Sequence, residues 1–127
     1  MVINSGDYQR VSYALSMAKV AAALEMEVHM LFTFGGLKRL IKDNSDELGN
    51  ISDNDIRDNI IKALEKGSIA KLSDDLLDVK RSGVKIYACV SSMNILNITK
   101  EKLIEDVKLM GLSEFLVLSI GSMTYYV

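Results

Sequence analysis

Two short runs constrain this chain more than anything else in it. Val28-His29-Met30-Leu31-Phe32-Thr33-Phe34 and Val84-Lys85-Ile86-Tyr87-Ala88-Cys89-Val90 are nearly unbroken apolar stretches of strand length, the first ended by Gly35-Gly36 and the second preceded by Gly83. A strand with one wet face alternates apolar and polar residues; a continuous run implies burial on both faces, the condition inside a parallel sheet covered by helices. Parallel neighbours also need long crossovers, and helix-periodic sequence lies between the runs.

The first such segment, residues 8–24, repeats Val11, Ala14, Leu15, Ala18 and Ala22 at helical spacing. Its alanines suit close packing on a sheet. Val2 and Ile3 read as the remnant of a first strand, broken by Asn4-Ser5-Gly6-Asp7, with Asp7 placed to cap the helix. Residues 37–42 begin another helix, and residues 43–52 are polar. Ser52-Asp53-Asn54-Asp55 has the form of a capping box before Ile56, Ile60, Ile61 and Leu64, and Gly67 ends that helix. Ser73 is expected to cap a helix whose Leu76, Leu77 and Val79 point inward and which Gly83 stops. Thr99-Lys100-Glu101-Lys102 reads as a further cap, for a helix carrying Leu103, Ile104 and Val107 up to Gly111. Residues 114–120 read either as a helical turn before a last strand at residues 123–127, or as a strand over 115–120.

Strands alternating with helices predict one domain over residues 1–127: a three-layer α/β/α sandwich with a mainly parallel four- or five-stranded sheet. A chain of 127 residues with 49% apolar and 25% charged residues can bury such a core. Trp is absent and aromatics make up 6%, so the core is aliphatic, with seven Met as filler. A net charge of −2 with interspersed signs argues against a nucleic-acid partner, which requires a basic stripe. No apolar run reaches the roughly 18 residues of a membrane span. The first six residues lack the basic and apolar regions of a signal peptide, and the expected address is the cytoplasm.

In an open α/β sheet ligands bind at the carboxyl ends of the strands. Three segments converge there, residues 4–7, 33–36 and 89–92, making Asn4, Ser5, Thr33, Gly35, Ser91 and Ser92 candidate binding residues. No phosphate-loop, nucleophile-elbow or zinc signature occurs, and Gly35-Gly36 reads as a tight turn. No metal and no cofactor is expected. His29, inside an apolar strand, reads as a structural or interface histidine. Cys89, the one cysteine, is the candidate catalytic residue. It lies between a strand and a short helix begun by Ser91-Ser92, where unpaired N–H groups favour a thiolate and the serines are able to cap or to donate to sulfur. A buried structural cysteine is the competing reading.

Leu72-Ser73-Asp74-Asp75-Leu76-Leu77 leading into Gly83-Val84-Lys85-Ile86-Tyr87-Ala88-Cys89 resembles the core of the DsrE/DsrF-like family of sulfur-relay subunits and peroxiredoxin-like relatives. Ala22-Ala23-Leu24-Glu25-Met26-Glu27-Val28 with Phe32-Thr33-Phe34-Gly35-Gly36-Leu37, then Ser92-Met93, and residues 99–111 with Phe115-Leu116, are similar too. Only residues 43–69 fall outside the likeness. Glu25 and Asn97 stand where relatives usually have a helix-ending glycine. The resemblance implies a three-layer fold, homo- or hetero-oligomers, and a strand-end cysteine that carries sulfur as a persulfide, matched here by Cys89 alone.

The leading expectation is therefore a sulfur carrier or sulfurtransferase exchanging sulfane sulfur with donor and acceptor proteins through Cys89, as a homo-oligomer. The alternative is a non-catalytic oligomeric module binding a small anion at the strand ends, with Cys89 incidental. Peroxide reduction is the weaker third, because no second cysteine is present to resolve the oxidised thiol.

Overall fold

A computed structural model describes residues 1–127 apart from Asn50 and Ser52. Four strands form one all-parallel sheet in the order β1-β2-β3-β4: β1 (Val2–Ile3), β2 (His29–Phe32), β3 (Lys85–Cys89) and β4 (Lys108–Met110). Each strand is laid beside its predecessor. Right-handed crossovers running in one direction put the connecting helices on one face of the sheet. The packing agrees. Ile3, Met30, Phe32, Ile86 and Ala88 join one core with Val11, Leu15 and Ala18 of α1 (Tyr8–Ala23) and Leu72, Leu76 and Val79 of α4 (Leu72–Arg81). Asp7 caps α1 as expected, its carboxylate accepting from Arg10 N at 3.0 Å. Lys19 and the buried Asp75 pair across the α1–α4 contact.

The opposite face holds a smaller cluster, Leu31, Tyr87, Cys89, Met110 and Phe115. Its cover is α6 (Leu112–Leu118), in which Phe115 is the buried residue, so the third layer is one short helix. Residues after α6 return to the far edge of the sheet. There Val2 N donates to Tyr125 O at 2.7 Å and Val127 N to Val2 O at 2.8 Å, a parallel bridge with Tyr126 that stands for the expected last strand.

Several expectations need correction. Residues 99–111 do not form a helix. One 3-10 turn (Lys100–Lys102) gives way to extended Leu103, which bridges Ile41 in antiparallel fashion, and the chain then enters β4. Leu103 and Val107 are buried by these pairings, which outweigh a weak helical period. The first buried run ends as strand at Phe32, because Phe34 turns the chain into α2 (Phe34–Leu37), followed by a 3-10 turn (Lys38–Leu40). Ser73 is not a cap: α4 starts at Leu72 after Lys71, and Ser73 donates from its backbone N and its Oγ to Asp46. Leu77 faces outward, on the wet side of α4. The cap of α3 (Asn54–Glu65) is Asp53, whose side chain accepts from Ile56 N; the Ser52 of the expected capping box lies outside the described residues.

Candidate functional site

Because β1, β2, β3 and β4 run in register, their carboxyl ends share a rung. Ile3 pairs with Phe32, Phe32 with Ala88, and Ala88 with Leu109. One step beyond, Cys89 pairs with Met110 on the face opposite the main core, and Asn4 and Thr33 directly follow β1 and β2. Neighbouring strands are roughly 4.8 Å apart, so Thr33 is beside the cysteine. Thr33 Oγ1 donates to Asn4 Oδ1 at 2.9 Å, which commits the hydroxyl proton to asparagine rather than to sulfur. Of the expected binding residues, then, Asn4 and Thr33 meet each other at the carboxyl ends of β1 and β2, the end of the sheet that also carries Cys89.

The others are used differently. Ser5 Oγ accepts from Asp7 N at 3.1 Å and shapes the turn into α1. Gly35 lies against Gly6: a Cβ added at Gly35 would come within 2.7 Å of Gly6 N, and one added at Gly36 would run into the Ile3 carbonyl. These glycines bring two backbones together, and they serve that contact. Cys89 itself is the N-cap residue of α5 (Val90–Ile95), so Ser91 and Ser92 sit inside the first turn and do not cap it. Ser91 is exposed and Ser92 buried, and among the described residues neither donates to sulfur.

Cys89 is only 5% exposed. It shares the small apolar cluster with Tyr87, whose ring meets Phe115 edge-on at 6.3 Å and stacks on His29 at 5.8 Å. Tyr87 OH lies 2.9 Å from His29 Nδ1, and Glu27 lies 3.1 Å from His29 Nε2. These contacts give His29 a structural place, one of the two roles, structural or interface, expected of it. Hydrogen bonds from Lys85 and His29 hold the exposed Glu27 carboxyl below its usual range.

Arg39 was not singled out from the sequence. It is buried, donates to the carbonyls of Gly6, Ser45 and Glu47, and lies 5.8 Å over the Tyr8 ring. Its donors hold backbone in place rather than facing an anion at the strand ends. A single arginine inside an otherwise ordinary loop carries no periodic signal that could have revealed this. Among the described residues no group of three or more His, Cys, Asp and Glu is placed to hold a metal ion, and no helix is long and apolar enough to cross a membrane. A groove of about 620 Å³ runs beside the small cluster, lined by Met17, Val20 and Leu24 of α1, Phe115 and Leu118 of α6, and Met123.

The model of the DsrE/DsrF-like family matches residues 1–120, strand ends and cysteine included. The chain belongs to that family. Membership in the DsrE/DsrF-like family supports, in general terms, a role related to sulfur relay. The uncharacterized protein YrkE of Bacillus subtilis (strain 168) is 25% identical over an alignment of 139 residues, covering 91% of this chain and 87% of that protein. Two solved structures share the fold. MTH1491 of Methanobacterium thermoautotrophicum, a protein of unknown function, superposes with a TM-score of 0.70 at 17% identity, over 99% of this chain and 95% of its own. The ychN protein of E. coli gives a TM-score of 0.61 at 11% identity, over 95% and 92%.

Proposed function

We propose that this DsrE/DsrF-like protein carries sulfane sulfur as a persulfide on Cys89, taking it from a donor and passing it to an acceptor protein in the cytoplasm. The observation that carries the reading is the position of the chain's single cysteine, at the carboxyl end of a central parallel strand where open α/β sheets do their chemistry. The reaction needs only a thiolate. With thiosulfate as donor, Sγ attacks the sulfane atom, an S–S bond forms to Cys89, the donor's own S–S bond breaks, and its electron pair leaves on sulfite. An acceptor nucleophile then attacks the outer sulfur and returns Cys89 as thiolate.

One observation favours the second reading, a binding module with an incidental cysteine: Cys89 is buried. Intact mass separates the two. After incubation with thiosulfate or polysulfide, the wild-type chain is expected to gain one sulfur, about 32 Da, and to lose it to dithiothreitol. Cys89→Ser should gain none while keeping its fold. A wild-type chain left unmodified beside a loaded control thiol would give the binding module the lead.

A further inference from the structure

We propose that α6 is a lid over Cys89, with Phe115 as its plug and with Gly111 and Gly121 as its hinges. The inference rests on the persulfide reading in one respect: a sulfur carrier must expose its thiol, and here the thiol is covered.

Three features point to α6 as the cover that moves. The helix is seven residues long, and Phe115 is the residue it buries. Apart from Ser113 and Glu114, the rest of its surface is apolar and open to water, with Leu112, Leu116, Val117 and Leu118 all exposed. Among the described residues, no side-chain hydrogen bond or ion pair links residues 112–118 to the sheet; the one side-chain bond that α6 receives, from Ser119 Oγ to Leu116 O, is local. One aromatic ring holds the element down.

Its flanks are built to turn. Gly111 directly follows Met110, the rung partner of Cys89, so α6 leaves the sheet next to the sulfur. Gly121, at φ +77°, separates α6 from the tail that is pinned to β1 through Tyr125 and Val127. A Cβ added at either glycine would meet nothing within 4 Å, so neither is retained for close packing. Finally, the groove runs along Phe115 and Leu118 and leaves α6 unpacked on that side, giving the ring somewhere to go. Short, weakly tied elements of this kind open at a cost well below global unfolding.

The test is the rate at which iodoacetamide alkylates Cys89 in the full chain, across urea concentrations below the unfolding transition. A lid predicts measurable labelling in native protein with little dependence on urea, because little surface is exposed on opening. Phe115→Ala should label ~10-fold faster or more with its far-ultraviolet circular dichroism retained, since the ring's burial is what keeps the helix down. Phe115→Leu should fall between the two, and the wild-type urea series decides alone if both variants fail to fold. Labelling that climbs with urea in step with global unfolding, or that ignores Phe115, overturns the lid. The two proposals fail separately. Loading by thiosulfate with labelling indifferent to Phe115 sinks the lid and leaves the carrier; labelling that follows Phe115 with no loading sinks the carrier and leaves the lid.

Discussion

Tyr87 shows how one residue ties the start of β2 to the end of β3 that carries Cys89. It lies two positions before Cys89 on the same face, its ring is held between His29 and Phe115, and its hydroxyl meets His29 Nδ1. Burial pushes its phenol above the ordinary tyrosine value, against a smaller opposing pull from Lys85. Burial raises Tyr8 too, helped by Asp46 and Asp75 and opposed by Arg39. For both residues the fold favours the neutral phenol. That contribution is complete below about pH 10, where the unfolded chain begins to ionise, and is lost as pH climbs through the folded value. Urea unfolding should therefore show stability declining above about pH 10. Tyr87→Phe should cost about 1 kcal/mol at pH 7 by leaving His29 Nδ1 without its partner, and should flatten part of the alkaline decline. An unchanged alkaline slope in that variant would count against Tyr87 as a source. Residue-level strain was partly readable in advance. Glu25 and Asn97, where the resemblance implied a helix-ending glycine, adopt φ of +61° and +52°. Phe34, at φ +38° beside Thr33, carried no such sign.

Among the elements, α2 is the one whose place depends on a missing side chain. Its glycines let the helix lie against the end of β1, and Gly36 N donates to Asn4 O at 3.1 Å. Gly36→Ala would push a methyl group into the Ile3 carbonyl, and since backbone yields less than a side chain, a loss of about 3 kcal/mol is expected, read as a lowered thermal midpoint. A midpoint within a degree or two of wild type would show that α2 can shift freely. Elements were legible where burial writes itself into composition. The runs in β2 and β3 are apolar on both faces, and α1 repeats its small residues at helical spacing. β4 was not legible, because it is three residues long, Lys108 breaks its apolar run, and Leu103 with Val107 imitate a helix. The site followed the same division. Cys89 stood out as the one thiol beside a readable strand, whereas its neighbours Met110 and Phe115 become neighbours only through the register of β4 and the return of α6.

For the whole molecule, the two faces of the sheet are unequal. One carries α1 and α4 over a broad core, the other only α6 and a tail. Large apolar side chains remain in water around the rim of this thinner side, among them Val20, Leu24, Ile120, Met123 and Tyr126. Surfaces of that extent usually meet another protein. Light scattering at micromolar concentration is expected to give a dimer or larger assembly; a monodisperse species at 14.1 kDa would contradict self-association.

The pairing of residues 125–127 with β1 also bears on how the fold is completed during synthesis. β1 is made before the other strands, but the hydrogen bonds along its outer side, from Val2 to Tyr125 and from Val127 back to Val2, wait for residues made after all of them. In a nascent chain β2 can dock on β1 early, as parallel neighbours joined by α1, while the other edge stays open and able to recruit a stray strand. The tail then acts as the closing stitch of the sheet, and substitutions there are expected to affect yield in the cell before they affect the finished protein.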